Sequence, residues 1–180
     1  NFHFAIKLNN YFTHSKKLIT DEKSCQLLKN FSSLLEPLDN KLAAVLVQLP
    51  PNFRANFKRL DDFAGELSKY FKANPDFAYE FRHVSWFKPE MYKILREHHS
   101  SLVIATWLGK FRLPQEVISD VFYIRYHATP EKPDYSEAEL REWTDWLKTV
   151  KPKRAYAYFN NDFGGWAITN ARQLKQYLGE

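Results

Sequence analysis

YEFRHVSWF, residues 79–87, starts as an alternation and ends as a loop. Together with Phe77 and Ala78, it puts Phe77, Tyr79 and Phe81 on one phase and Ala78, Glu80 and Arg82 on the other. Side chains alternate across a strand, so one face is aromatic while the other ends in an acid and a guanidinium. His83 to Trp86 then fall in the loop that follows. A strand of this kind packs one face on helices and delivers polar groups at its C-terminal end, as in parallel α/β sheets and barrels.

The rest of the chain repeats the pattern. Strands are expected at FHFAIKL (2–8), AAVLVQL (43–49), FAYEFR (77–82), LVIAT (102–106), VFYIRYH (121–127) and AYAYFN (155–160). Helical periods occupy 21–35, 58–71, 89–98, 136–150 and 166–178, and Ser136 with Glu139 makes a capping box. Residues 107–120 contain Pro114 and leave room for a short helix only. Strands alternating with helices indicate an α/β fold with a largely parallel sheet, six strands being visible. With no internal repeat, low-complexity tract or flexible linker, residues 1–180 read as a single domain.

Composition narrows the class. A chain of 180 residues, 44% hydrophobic and 17% aromatic, can bury one sizeable core. Net charge is +5 with a pI near 9.2, the basic residues being spread along the chain; this suits an anionic ligand or nucleic acid. Cys25 is the only cysteine, which excludes an intrachain disulfide and a thiolate cluster and fits a cytoplasmic setting. No apolar run reaches the roughly 20 residues a membrane helix needs, and no signal peptide pattern opens the chain. Gly164-Gly165 matches neither G-x-G-x-x-G nor a Walker pattern, which argues against nucleotide binding.

Strand phase also selects candidate site residues. In the first, second, third and fifth strands the less apolar phase ends in a group that can hydrogen-bond or ionise: Lys7, Gln48, Glu80, Arg82, Arg125 and His127. In a barrel these would converge on the C-terminal mouth. Six strands fall short of the eight of a closed (β/α)₈ barrel, and an open doubly wound sheet fits the periodicity equally well.

The blocks FAIKLNNYFTH, VLVQLPPNF, YEFRHVSWF, FYIRYHA, YSEAELREW and AYAYFNNDFGGWAITNARQL occur in the order found in the domain of unknown function 72, or YecE-like, family. The resemblance spans essentially the whole chain, and QLPP, EFRH-x-SW and YFNND are together specific to that family. It implies a TIM-barrel-like fold with no established activity. It also implies that two strands, carrying the family's GTSGW-like and E-x-N-x-T-F-Y-like segments, belong before Asn1, so that this barrel is incomplete or N-terminally truncated. Two positions depart from the family pattern: IRYHA lacks the glycine of RxHG, and Ala105-Thr106 stands where an Asp is common.

Each candidate has a functional and a structural reading. Glu80, His83 and His127 are the candidate catalytic groups; Glu80 can act as a general base or simply hold Arg82, and each histidine can shuttle protons or fix a loop. Lys7, His14, Gln48, Arg82, Trp86, Arg125, Tyr135, Asn160 and Asp162 are the candidate substrate-binding groups. Arginines bind anions bidentately, the Asn and Asp residues offer ligand contacts or a helix cap, and the aromatics stack or pack. No cofactor is expected. The histidines with Glu80 could supply nitrogen and oxygen ligands to a divalent metal, but their spacing matches no compact metal motif.

Two classes of function follow. One is an enzyme or binding protein acting on a polar, anionic or hydroxylated small molecule, with hydrolase, isomerase or phosphoesterase chemistry all within the inventory. The other is a nucleic-acid-binding or phosphodiester-processing protein. An inactive truncated member is the third reading, and the oligomeric state is open.

Overall fold

In the computed structural model, residues 2–106, 117–129 and 131–179 are described. A short helix is expected within 107–120, of which residues 107–116 lie outside the described ones. The elements alternate as the sequence suggests: β1 (Phe4–Lys7), α1 (Glu22–Leu35), β2 (Leu42–Gln48), α2 (Phe57–Ser68), β3 (Asp76–Glu80), α3 (Pro89–Glu97), β4 (Ser101–Ala105), β5 (Val121–His127), α4 (Glu137–Val150), β6 (Arg154–Asn160) and α5 (Trp166–Leu178). All six strands are parallel to their hydrogen-bonded neighbours and follow chain order, which is an α/β fold. Among the described residues no helix is long and apolar enough to cross a membrane. The chain forms two compact units, Asn1–Leu102 and Val103–Glu180.

In the first unit β2 lies between β1 and β3. It is buried along almost its whole length, as expected for a parallel strand covered on both faces. Leu60, Phe63, Ala64 and Leu67 recur at helical spacing on α2 and form its buried stripe. Side-chain caps start the helices: Asp21 accepts from the Ser24 amide at 2.8 Å, and Asn56 from the Arg59 amide at 3.0 Å. Pro89 opens α3, where its missing N–H costs nothing. The register sets Gln48 opposite Glu80, and Lys7 opposite Leu46, two residues before Gln48 on the same phase. β3 ends at Glu80, so Arg82, expected inside the strand, lies just beyond it.

In the second unit Phe122, Ile124 and Tyr126 of β5 pack with Leu140, Trp143 and Leu147 of α4 and Leu174 of α5. Tyr126 stacks on Phe159 with ring centroids 4.3 Å apart, and Trp143 meets it edge-on at 5.1 Å. β5 and β6 pair throughout, from Val121 opposite Arg154 to His127 opposite Asn160. The capping box is present at the start of α4: Ser136 and Glu139 each bond the other's backbone amide. α4 ends on Lys151 in the left-handed region, φ 47°.

Candidate functional site

The first unit gathers five of the candidate residues at the C-terminal ends of its strands. Glu80 is 1% exposed, and its Oε1 accepts from Gln48 Nε2 at 2.9 Å and from Arg82 Nε at 2.8 Å. A buried carboxylate is tolerated only with such partners. The arrangement follows from the strands: Gln48 and Glu80 are register partners on the same phase, and Arg82 returns to that phase two residues later. Lys7 ends β1 one layer below, with its side chain exposed.

His14 joins this group through a π-helical turn, Tyr11–Ser15, that sinks Phe12 and Thr13 into the core. The fully buried Thr13 places its hydroxyl 2.8 Å from His14 Nδ1. Burial, then the positive charges of Lys7 and Arg82, lower the His14 pKa below its ordinary value, so the imidazole is neutral at pH 7. Two cations, a neutral imidazole, an amide and a buried carboxylate can fix a small anion and move a proton beside it.

The two remaining candidates in this unit have local structural work. His83 Nδ1 accepts from the Ser85 amide at 3.2 Å and lies 2.9 Å from the Ser85 hydroxyl, capping a short 3₁₀ turn, Val84–Trp86. Trp86 is fully buried, donates its indole N–H to the Phe53 carbonyl at 2.8 Å and packs against Phe53, Phe57 and Phe81. Its ring belongs to the core and does not wall an opening.

The second unit holds a separate polar network. Arg125 and His127 share one phase of β5, facing Tyr158 and Asn160 in register on β6. Tyr135 is 7% exposed and donates its hydroxyl to the His127 carbonyl at 2.6 Å. Thr106, where the family pattern commonly has an acid, pairs its hydroxyl with that of Tyr135 at 2.6 Å and accepts the His127 amide at 2.8 Å. The Tyr135 backbone is held by Asn170, which accepts from its N–H at 3.3 Å and donates to its C=O at 3.2 Å. Asn161 donates to Asn170 Oδ1 at 2.8 Å and to the Pro133 carbonyl at 3.2 Å. Tyr135 and the His127 backbone are therefore structural nodes here, while Asn160 and Asp162 are exposed and Asp162 makes no side-chain cap. Gly164 takes φ 67°, and a Cβ there would lie 3.0 Å from the Trp166 indole nitrogen, so this turn into α5 requires glycine.

Thr13, Thr106 and Asn170 lie outside the candidates that strand phase selects, although each carries a signal in the sequence. Thr13 adjoins His14, Thr106 ends a strand, and Asn170 precedes Leu174 by one helical turn on the same buried stripe of α5. Among the described residues no three His, Cys, Asp or Glu side chains assemble as metal ligands.

A UPF0759 protein, YunF, of Bacillus subtilis is 26% identical, the match covering 98% of this chain and 73% of that protein. The crystal structure of a DUF72 family protein from Thermotoga maritima superposes with a TM-score of 0.80 at 28% identity, covering 99% of this chain and 74% of the other. One from Enterococcus faecalis gives 0.78 at 24% identity, covering 100% and 79%, a likeness of fold. The family described as "Protein of unknown function DUF72" matches residues 1–180, and the chain belongs to it.

Proposed function

We propose that the C-terminal ends of β1, β2 and β3 form a binding site for a polar, anionic small molecule, on which the protein acts by acid–base chemistry of the hydrolase, isomerase or phosphoesterase kind. The observation that carries this reading is the buried Glu80 carboxylate, locked by Gln48 and Arg82 at the strand ends with Lys7 on the same phase. A carboxylate so engaged positions its partners: it fixes the Arg82 guanidinium, which with Lys7 supplies the charge that selects an anion. Parallel strands in chain order with helices between them are the pattern of a (β/α) barrel, and such folds carry their chemistry at this end of the strands. The TIM-barrel reading of the fold rests on that order.

A thermal-shift and calorimetric screen of small phosphates, sulfates and carboxylates, set against neutral sugars and amines, tests the function. Anions are expected to bind with saturation. Arg82→Ala and Lys7→Ala should each weaken them by about ten-fold or more, the worth of one charge-assisted contact. Hits that are neutral, or that ignore both substitutions, would remove the site from consideration. Affinity that instead grows with duplex length and collapses with salt would indicate a nucleic-acid partner.

A further inference from the structure

We propose that the edge of β6 and the groove beside it dock an extended acidic segment of a partner protein, which adds to the sheet as a further strand. The proposal concerns the second unit alone and stands apart from the anion site above. β6 ends the strand order: it is hydrogen-bonded to β5 along its seven residues and to no other strand among those described. Backbone groups on the outer side of an edge strand form a row of donors and acceptors that another extended chain matches.

On one phase of β6, Ala155, Ala157 and Phe159 border a groove of about 500 Å³, whose floor is completed by Leu147, Leu174 and Leu178. Ala155 and Ala157 are exposed on the strand and Ala171 on α5, and their small side chains leave room for those of an incoming strand. Alternate residues of that strand would turn into the groove, so apolar side chains at every second position fit its floor. Backbone pairing with pockets for alternate side chains is the general mode of strand addition.

Charge selects the partner. Five cations line the groove, Lys148, Lys151, Lys153, Arg154 and Lys175, and no acid does. Lys148 donates to the Tyr177 carbonyl at 2.7 Å, and Lys153 is paired with Asp120. Lys151 and Lys175 are exposed and make no ion pair among the described residues, so these two are placed to meet carboxylates. The Lys148 bond to Tyr177 ties the last turn of α5 to that of α4, which sets Lys175 and Lys151 at one end of the groove, by the start of β6. A nucleic acid would answer this charge but not the apolar floor or the strand edge. A second copy of the chain brings its own +5 charge at pH 7, which opposes its docking here.

The probe is a fluorescent peptide about as long as β6, with valine alternating with threonine and glutamates at both ends. Anisotropy on the full chain at pH 7 and low salt should show saturable binding, and Lys151→Glu with Lys175→Glu should weaken it about ten-fold or more. Both residues are exposed, so the double variant keeps the fold. A peptide with lysine in place of glutamate should not bind. Of two peptides N-methylated on opposite sets of alternate residues, one should bind and the other fail, because an added strand pairs through one side of its backbone only. Hydrogen exchange should show β6 amides slowed at saturation. Equal binding of the lysine peptide, equal behaviour of the two N-methylated peptides, unchanged exchange at β6, or no binding each overturns the proposal. A dimer of the chain itself under these conditions, with its β6 amides already protected, would assign the edge to a second copy and overturn it too.

Discussion

Asn170 does in one side chain what a strand does with several residues. Its amide pairs with both the N–H and the C=O of Tyr135, accepts from Asn161 and donates to Gln173 Oε1 at 3.1 Å. All this happens at 1% exposure, where an unmade hydrogen bond carries its full desolvation cost. Removing the side chain strands two backbone groups and one of the two Asn161 N–H groups at once. Asn170→Ala is therefore expected to destabilise the protein by about 3 kcal/mol, summing roughly 1 kcal/mol for each stranded group. Urea unfolding measures it. Asn170→Asp, which keeps the acceptor and loses the donors, should still cost more than an exposed substitution such as Lys175→Ala. A loss equal to that surface control would mean the amide network holds nothing together.

Elements were more legible than the contacts between them. The five longer helices and six strands are readable because apolar periodicity is a local property, and their ends differ from expectation by a residue or a few. Two turns carry no periodic signal, for different reasons. The π-helical turn at Tyr11–Ser15 has no propensity signature, since burial of Phe12 and Thr13 imposes it. The 3₁₀ segment Glu36–Lys41 contains Asp39 at φ 43°, which a sequence reader would assign to a loop. Of the candidate site, the groups that strand phase selects in the first unit were legible because phase and register together put Gln48 beside Glu80. The Thr106–Tyr135–Asn170 chain was not, because it joins residues far apart in sequence, by a hydroxyl–hydroxyl contact at one end and, at the other, through Tyr135 backbone atoms of a kind that every residue possesses. Helix ends are the part of an element that can be tested singly, and α4 offers one good end and one strained end. Ser136→Ala removes the box, in which Glu139 is also paired with Lys132, and should cost about 1 kcal/mol. Lys151→Gly relieves a left-handed residue that carries a Cβ and should stabilise by about 0.5–1 kcal/mol, after the added flexibility of the unfolded chain. Paired chemical-denaturation curves read both, and equal signs for the two substitutions would contradict the assignment of these caps.

At the scale of the whole molecule, net charge and an open strand edge act against each other. β6 is hydrogen-bonded to β5 along all seven residues and to no other strand among those described, and its Ala155 and Ala157 are exposed. Beside it a groove of about 500 Å³ in the second unit has an apolar floor including Phe159, Ala171 and Leu174, rimmed by Lys151, Lys153 and Lys175. Phe163 and Ile168 add exposed apolar surface, 84% and 61% open. An edge with this profile is a template for pairing with another chain, and lysines beside it are the usual deterrent. The deterrent is electrostatic, so it weakens when charge is screened or titrated away. The protein carries +5 at pH 7 and reaches neutrality near pH 9.2. Self-association is therefore expected to rise as pH moves from 7 towards 9.2, and at fixed pH as salt is added. Ala157→Lys puts a further charge on the edge itself and should suppress that association, whereas Lys29→Ala, a substitution on α1, should not. Light scattering and sedimentation velocity across pH follow the effect directly. If Ala157→Lys associates as readily as the unsubstituted chain, the contact is made elsewhere, and the exposed Phe163 and Ile168 become the surface to alter next.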